Sequence, residues 1–451
     1  MSIRRSATPP RPPVGSSSIL QKLTSRWRTR SGYWQDVSWI AAGTGLAQAI
    51  GLLTMPALTR LYEPAAFASL NIFTQAVALL SGALSLRLEF AVPLPKQPVY
   101  AMALLRLVAA LSLLGAALWT GAAVLAGDWI ARWRPEEPQV LWLLVPITAA
   151  LGSIALASQH LAQRFGHYRR VGIAEIAGKG AYFLTALLGV WALPSPTGLL
   201  LAVGVGILVK MTLTLPPQRA SDAPDQAWRL QKWTRLCRTV GARYRRLSMT
   251  MVSSHLMLTL TGLIPALFVS SAYGADALGQ MFLVITTSYL PSALIGSAVG
   301  QVYFQHAARR HALGQPFGDL WTATVRRLLQ LGLPLYLLLG LTARWIYPWL
   351  FGPRWELAGQ FAVVMSVSAF LSYLSTPLDR SCIVVSAWRY IPAWQLARLL
   401  STCMVVGLAS HFRWPVLGFV VALTVQMSLM YLIDFFAERN FAYAMPVQVT
   451  V

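Results

Sequence analysis

Between Tyr100 and Ala126 the chain reads YAMALLRLVAALSLLGAALWTGAAVLA, an apolar run interrupted by one charged residue, Arg106. A helix that crosses a bilayer needs about 20 mostly apolar residues, and this run exceeds that length. Similar runs recur from Val37 to Phe436. The chain of 451 residues is 56% hydrophobic and 12% charged, with a mean hydropathy of +0.55. The sequence therefore predicts an all-α integral membrane protein that crosses the bilayer many times.

Hydropathy predicts about twelve transmembrane helices. They are Val37–Leu58, Ala66–Leu86, Tyr100–Ala126, Val140–Leu161, Val171–Trp191, Thr197–Leu215, Leu247–Ser271, Ala277–Phe304, Leu328–Leu350, Gly359–Leu378, Tyr390–Ala409 and Pro415–Phe436. A polar stretch after the sixth helix divides the set into six and six. We therefore expect two six-helix bundles, related by an internal repeat.

These runs divide the chain into five parts. The predicted parts are a disordered basic cytoplasmic tail (residues 1–36), an N-terminal bundle (residues 37–215), a basic cytoplasmic linker (residues 216–246), a C-terminal bundle (residues 247–436) and a cytoplasmic tail (residues 437–451). For the linker we expect contact with anionic lipid headgroups, and the alternative is a regulatory or partner-binding role.

Most of the positively charged residues lie in the N-terminal tail and in the loops between the predicted helices. The N-terminal tail and every second loop hold 27 of the 37 Lys and Arg residues, whereas the other loops hold 6. The positive-inside rule then predicts that both termini are cytoplasmic.

A net charge of +22 could suggest nucleic-acid binding, but the basic residues are dispersed among loops, so we expect no nucleic-acid partner. The three cysteines, Cys237, Cys382 and Cys403, have no C-x-x-C spacing, and we expect no metal or other cofactor.

Two short segments indicate the internal repeat. Pro56-Ala57-Leu58 ends the first predicted helix, and Pro265-Ala266-Leu267 lies near the end of the seventh. Tyr62 and Tyr273 follow them, each five residues ahead of a large apolar residue. The offset is 209–211 residues, which matches a duplication of a six-helix unit.

Four short motifs occur in order within this frame. They are LTRLYEPAAF at Leu58–Phe67, LRLEFAVPLP at Leu86–Pro95, LP with GSAVGQVYF at Leu290–Phe304, and LFGPRW at Leu350–Trp355 with Ala358-Gly359. Together they resemble the signatures of the bacterial Wzx-type polysaccharide or O-antigen flippases, the oligosaccharide flippase family. The resemblance extends from about Trp39 to Phe436. One departure is Ala68, where the family often has Gly.

The resemblance implies a fold, a cargo and partners. The fold would be that of the multidrug/oligosaccharidyl-lipid/polysaccharide exporter (MOP) superfamily, with two six-helix bundles arranged in a V around a central cavity. The cargo would be a polyprenyl-diphosphate-linked oligosaccharide, moved from the cytoplasmic to the outer leaflet of the bacterial inner membrane. It would serve O-antigen, capsule or exopolysaccharide synthesis. Membrane lipids, a polysaccharide polymerase and its chain-length machinery would be the partners.

Ionisable residues near or within the predicted spans are the candidate site residues, because a charge at the bilayer centre costs about 2.5–3.5 kcal/mol on insertion scales. A guanidinium suits a diphosphate, since it donates two parallel hydrogen bonds to phosphate oxygens. The predicted cavity residues are Arg398, Arg106, Arg87, Glu89 and Arg60. The alternatives are snorkelling to the cytoplasmic surface for Arg106 and a local ion pair for Arg87 with Glu89.

A second set is predicted to couple transport or to stabilise the bundle. Glu175 and Lys179 are four residues apart, on one face of a helix, and predict either a structural pair or a cavity-lining pair. His255 is predicted to be a hydrogen-bonded packing residue or a proton site. We expect Lys210, near the end of its helix, to snorkel.

Two other function classes make different demands on the sequence. A multidrug or small-cation antiporter of the same superfamily would need acidic residues at membrane depth, and Glu175 is the clear acid well inside a predicted helix. A membrane-embedded polymerase or ligase would need sizeable outer loops and a catalytic constellation. The predicted outer loops are about a dozen residues or fewer, without paired carboxylates or a Ser/His arrangement, so we expect no enzyme.

Overall fold

A computed structural model describes Trp39 and residues 42–125, 139–193, 196–215, 230–387 and 389–444. These residues form helices and connecting loops, with no β-strand among them. The predicted tail at residues 1–36 lies outside the described residues, as do residues 216–229 of the predicted linker and residues 445–451 at the C-terminus.

Twelve long helices run through the described part of the chain. They are α1 (residues 42–61), α2 (Pro64–Leu84), α3 (Pro98–Leu125), α4 (Gln139–Arg164), α5 (Tyr168–Ala192), α6 (Thr197–Thr214), α7 (Leu230–Tyr273), α8 (Ala275–Ala312, broken at Tyr289), α9 (Gly318–Phe351), α10 (Glu356–Ser375), α11 (Tyr390–His411) and α12 (Val416–Tyr443). Eleven of these segments, in α2 to α12, are long and apolar enough to cross a membrane. The predicted all-α membrane fold with about twelve helices is confirmed.

Several helices extend past the predicted ends. Helix α7 already begins at Leu230, so the second half of the predicted linker is helical and continuous with the seventh span. Helix α12 continues to Tyr443, beyond the predicted end at Phe436 and into the predicted tail. Hydropathy finds the apolar part of a helix, whereas main-chain hydrogen bonding can continue through polar residues outside the hydrocarbon.

The helices pack as an N-half (α1–α6) and a C-half (α7–α12). In the N-half, α4 packs against α2, α3 and α6, and α5 packs along α6. In the C-half, α10 packs against α8, α9 and α12, and α11 packs against α7 and α12. The halves meet chiefly along α2, which packs against α7 and α8. Helices α2 and α8 are the second helices of their halves, as a repeat about a pseudo-twofold axis would place them.

Matched tyrosines make matched contacts in the two halves. The Tyr62 hydroxyl donates a hydrogen bond of 2.7 Å to the carbonyl oxygen of Ala186 in α5. The Tyr273 hydroxyl donates one of 2.9 Å to the carbonyl oxygen of Trp414, just after α11. Helices α5 and α11 are the fifth helices of their halves. These contacts support the internal repeat that the two sequence segments indicated.

Candidate functional site

A cavity of about 300 Å³ lies between the two halves, where α2 faces α7, α8 and α10–α12. We call it the C-half cavity. Its wall is largely apolar, and its polar side chains include those of Asn71, Gln75, Tyr289, Ser368, Arg398 and Tyr431. A mostly apolar pocket with a few converging polar groups is typical of ligand sites.

Arg398 supplies the charge of the C-half cavity. Its guanidinium carbon lies 5.3 Å from the ring centroid of Trp394 and 5.5 Å from that of Tyr431. Its Nη2 approaches the Met427 sulfur at 3.5 Å, and its buried Nε has no hydrogen-bond partner. No carboxylate among the described residues lies within salt-bridge distance. The aromatic rings therefore stabilise the cation without neutralising it.

Helical spacing builds this arrangement. Trp394 and Arg398 are four residues apart on α11, and Met427 and Tyr431 are four apart on α12, so each pair shares one helix face. Because α11 packs against α12, the two faces enclose the guanidinium between them.

A second cavity of about 380 Å³ lies where α1, α2, α5 and α6 face α8, and we call it the N-half cavity. Its ionisable residues include Glu175, Lys179 and Lys210. The Glu175 carboxylate forms an ion pair with Lys210 Nζ at 2.6 Å. The ammonium group of Lys179 lies 5.8 Å from the ring centroid of Tyr182. Phe282 lines both cavities, so they adjoin at this residue.

The partner of Glu175 therefore differs from the one that helical spacing suggested. Helices α5 and α6 approach closely at two glycines, and a Cβ on Gly178 would lie 2.9 Å from the Gly206 carbonyl oxygen and 3.3 Å from the Lys210 Cβ. This approach brings Lys210 to Glu175, so Lys210 faces the cavity instead of snorkelling as expected. A prediction from one helix could not include a partner on the next.

Arg87, Glu89 and His255 form a separate network that links the α2–α3 loop to α7. Arg87 donates through Nη1 to Glu89 Oε1 at 3.2 Å and through Nη2 to His255 Nδ1 at 2.9 Å. A guanidinium only donates, so Nδ1 accepts and the ring proton is assigned to Nε2, which donates to the Ala78 carbonyl oxygen at 2.8 Å. Glu89 is 1% exposed. The network joins the N-half to the C-half.

The backbone at this network is unusual. Leu86 and Arg87 have φ of 49° and 54°, in the left-handed region that residues with a Cβ seldom occupy. Such residues cost about 1–3 kcal/mol each, and they persist where surrounding contacts hold them. One such contact is the hydrogen bond of 2.6 Å from the Ser248 hydroxyl on α7 to the Leu86 carbonyl oxygen.

The remaining predicted residues lie away from both cavities. Arg60 is exposed, and its Nη2 donates to the Leu350 carbonyl oxygen at 3.5 Å. Arg106 is half-buried on α3. The structure thus brings three of the predicted site residues to the cavities, namely Arg398, Glu175 and Lys179. It places the other five outside the described cavity linings, namely Arg60, Arg87, Glu89, Arg106 and His255.

The two halves are joined at the end where α1 turns into α2. Trp355 Nε1 donates a hydrogen bond of 3.0 Å to the Thr59 carbonyl oxygen. The Trp355 ring also meets Phe67 edge-on, with centroids 5.1 Å apart. Close by, Arg354 and Glu63 are 3.7 Å apart. All these contacts lie in or beside loops that the charge pattern assigns to the outer side.

Two buried acids on α12 were missed by the sequence analysis. Asp434 accepts hydrogen bonds from the hydroxyls of Ser375 at 2.7 Å and Tyr390 at 2.8 Å. Glu438 is 1% exposed and accepts one from the Cys382 main-chain N–H at 2.9 Å. Both carboxylates anchor the α10–α11 loop. Their four-residue spacing was the available signal, but Glu438 lay beyond the predicted end of the last helix.

Within the described ranges, no group of three or more His, Cys, Asp or Glu side chains is placed to hold a metal ion.

No family model matches the chain, and no curated protein matches it. Solved structures do share its fold. A multidrug resistance MATE family transporter of the MOP superfamily, in an inward-facing conformation, superposes with a TM-score of 0.67 at 13% identity, covering 91% of this chain and 96% of that one. A MOP superfamily transporter from Pyrococcus furiosus, whose binding pocket is described as having reverse polarity that suggests a different function, gives 0.60 at 13% identity, covering 92% and 96%.

A eukaryotic MATE transporter, AtDTX14, gives a TM-score of 0.54 at 11% identity, covering 92% of this chain and 99% of that one. The match to these proteins extends over nearly the full length of both chains. The chain therefore has the multi-pass fold of MATE transporters of the MOP superfamily.

Proposed function

We propose that this protein is a membrane transporter that flips a polyprenyl-diphosphate-linked oligosaccharide from the cytoplasmic to the outer leaflet. The observation that carries the proposal is the guanidinium of Arg398, which lies in a cavity between the two halves with no carboxylate at salt-bridge distance among the described residues. A half-buried cation without a carboxylate at salt-bridge distance favours an anionic ligand, and a guanidinium can bind phosphate oxygens in pairs.

The balance of charge in both cavities supports an anionic cargo. Their lining includes three cationic side chains, Lys179, Lys210 and Arg398, against one carboxylate, Glu175. That carboxylate is already engaged by Lys210. The mostly apolar walls with scattered hydroxyl and amide groups suit sugars, whose faces are apolar and whose edges donate and accept hydrogen bonds.

Alternating access is the mechanism that suits this arrangement. The halves are tied by Trp355–Thr59 and Arg354–Glu63 at the end that the charge pattern assigns to the outside. With that end closed, the conformation is the inward-facing one, in which a cargo headgroup enters from the cytoplasmic side. Breaking these contacts and rocking the halves would expose the cavities to the outer leaflet, while the lipid tail stays in the membrane.

The cell context follows from the same proposal. The protein would lie in a bacterial inner membrane with both termini cytoplasmic. It would deliver its cargo to a polysaccharide polymerase and its chain-length machinery. Fusions of a reporter that fluoresces only in the cytoplasm and of one active only outside, placed at each terminus and after Arg413, would test the orientation.

The second candidate function is a multidrug or small-cation antiporter. Two observations favour it: the named multidrug transporters that share the fold, and the buried acids Asp434, near the end of the last predicted helix, and Glu438, beyond that predicted end. Both acids, however, are held by Ser375, Tyr390 and the Cys382 N–H at the α10–α11 loop, and neither lines a described cavity. The cavities themselves remain cationic.

Mass spectrometry of membrane lipids tests the proposal. In a deletion strain, polyprenyl-diphosphate oligosaccharide should accumulate, and it should clear when the wild-type gene is restored. Intact surface polysaccharide without accumulation, together with drug sensitivity that the gene reverses, would overturn the flippase and support the antiporter.

A further inference from the structure

The N-half cavity is lined by a cation, Lys179, that is not part of the proposed diphosphate site at Arg398. Lys179 on α5 lines this cavity together with Glu175 and Lys210. The sequence indicates a pair between Lys179 and Glu175, whereas in the structure the Glu175 carboxylate forms an ion pair with Lys210 at 2.6 Å. The role of the Lys179 ammonium is therefore open.

Lys179 faces the protein interior and not the lipid. The large apolar residues Ile173, Leu184 and Leu188 form the outward face of α5, with exposed fractions of 45%, 56% and 59%. Leu188 follows Lys179 by nine residues, which is about two and a half helical turns, so the two side chains leave α5 on opposite faces. The exposure of Lys179 is exposure into the cavity.

The charge of Lys179 is not neutralised by an ion pair. No carboxylate within the described ranges lies at salt-bridge distance from its Nζ, although Glu175 is one helical turn away, and the ammonium lies 5.8 Å from the centroid of the Tyr182 ring. The neighbouring Lys210–Glu175 pair is neutral as a unit. One net positive charge therefore faces a cavity of about 380 Å³ whose other lining includes Gln48, Thr54 and Thr74. An ammonium in such surroundings is stabilised by an oxyanion.

This charge is separate from that of Arg398. The two cations line different cavities, and the Phe282 side chain forms part of the wall of both. A single diphosphate held by Arg398 in the C-half cavity would leave Lys179 facing another part of the cargo.

We propose that Lys179 is the centre of a second oxyanion subsite, which binds an acidic group on the glycan of the cargo while Arg398 binds the diphosphate. The acidic group is a carboxylate of a uronic acid or a phosphate substituent, since an ammonium attracts both. This inference rests on the proposed function and narrows its substrate class to acidic oligosaccharides. Lys179 then determines specificity: glycans without the acid would leave its charge uncompensated.

Cysteine modification in the purified, lipid-reconstituted full-length protein tests the subsite. Thr54 lines the N-half cavity, and its hydroxyl donates to carbonyl oxygens within α1, so Thr54→Cys is a mild change. It would be made with Cys237, Cys382 and Cys403 replaced by Ser. The measured quantity is the ratio of the modification rates by an anionic and by a cationic methanethiosulfonate reagent. We expect Lys179→Gln to lower this ratio at least about fivefold.

Ligand protection then identifies the acidic group. Sodium glucuronate should slow modification when Lys179 is present and not when it is Gln, and glucose is the neutral control. Protection by inorganic phosphate alone would assign the subsite to a phosphate substituent instead of a carboxylate. Arg398→Gln, in the other cavity, is the matched control and should leave the protection unchanged.

An unchanged rate ratio in Lys179→Gln, or no protection by either anion, would overturn the second subsite. If Thr54→Cys does not fold, Gln48→Cys places the thiol in the same cavity. Failure of this proposal is distinct from failure of the flippase, because lipid accumulation in the deletion strain does not depend on which group Lys179 binds.

Discussion

The indole Nε1 of Trp355 in the C-half donates a hydrogen bond of 3.0 Å to the main-chain carbonyl oxygen of Thr59 in the N-half. Both residues are buried, with exposed fractions of 0% and 2%. Thr59 and Trp355 are far apart in the chain. Their hydrogen bond, together with the packing of the Phe67 ring against the same indole, therefore joins the two halves at one end of the molecule. Opening that end requires Trp355 to leave its pocket.

Substitutions of Trp355 should weaken the contact between the two halves, and the effect should grow with the number of Trp355 contacts that are lost. Trp355→Phe deletes the hydrogen bond, worth about 1 kcal/mol, and keeps most of the packing. Trp355→Ala also empties the pocket, at a cost of about 3–5 kcal/mol. A thiol introduced by Thr59→Cys should react slowly with an impermeant maleimide added outside cells, faster with Trp355→Phe and fastest with Trp355→Ala. Equal rates in all three would show that Trp355 does not control access.

Gly279 should be intolerant of a side chain. A Cβ at this position would overlap the carbonyl oxygen of Pro64, where α8 meets the start of α2. Gly279→Ala therefore forces the helices apart, and we expect a clear drop in the thermal unfolding midpoint of the detergent-solubilised protein. Gly241→Ala is the matched control, since Gly241 also lies in a long helix and a Cβ there has no atom of the described residues within 4 Å. A control variant as unstable as Gly279→Ala would contradict the contact argument.

Arg87 and Glu89 should behave as a coupled pair. Arg87→Ala would leave the Glu89 carboxylate buried without its cation, which costs about 3–5 kcal/mol for buried pairs. Glu89→Gln in the same background should restore much of the loss, because a neutral amide needs no counter-charge. Thermal unfolding of the two single variants and the double variant measures the coupling. Additive losses would mean that the ion pair contributes nothing beyond its separate residues.

Cys382 should be unreactive in the folded protein. It is 1% exposed, and burial, with Glu438 nearby, raises the pKa of its thiol. A raised pKa lowers the thiolate fraction at every pH below it, and the thiolate is the nucleophile. With Cys237 and Cys403 replaced by Ser, maleimide labelling at pH 8 should therefore be slow and should rise sharply on unfolding. Rapid labelling of the folded protein would mean that the α10–α11 loop opens readily.

The helices could be predicted from the sequence because bilayer-length apolar runs depend on composition alone. The ion partner of Glu175 could not, because it depends on how closely α5 approaches α6 at Gly178 and Gly206. Arg87 and Glu89 are two residues apart, so the sequence could indicate a local ion pair between them. The third residue of this network, His255, lies in the other half, and its contact with Arg87 could not be predicted. Buried Glu438 was missed, since polar residues past an apolar run give no sign that the helix continues.

In the proposed transport cycle, the cavity arginine Arg398 binds an anionic, lipid-linked cargo. The most direct test is the amount of polyprenyl-diphosphate oligosaccharide in the deletion strain complemented with Arg398 variants. Arg398→Ala should leave the lipid accumulated, and Arg398→Lys should clear it only in part, because it keeps the charge and loses the planar fork. Arg327→Ala, at an exposed arginine of α9 away from both cavities, should clear it fully. Full clearance by stably expressed Arg398→Ala would contradict the account.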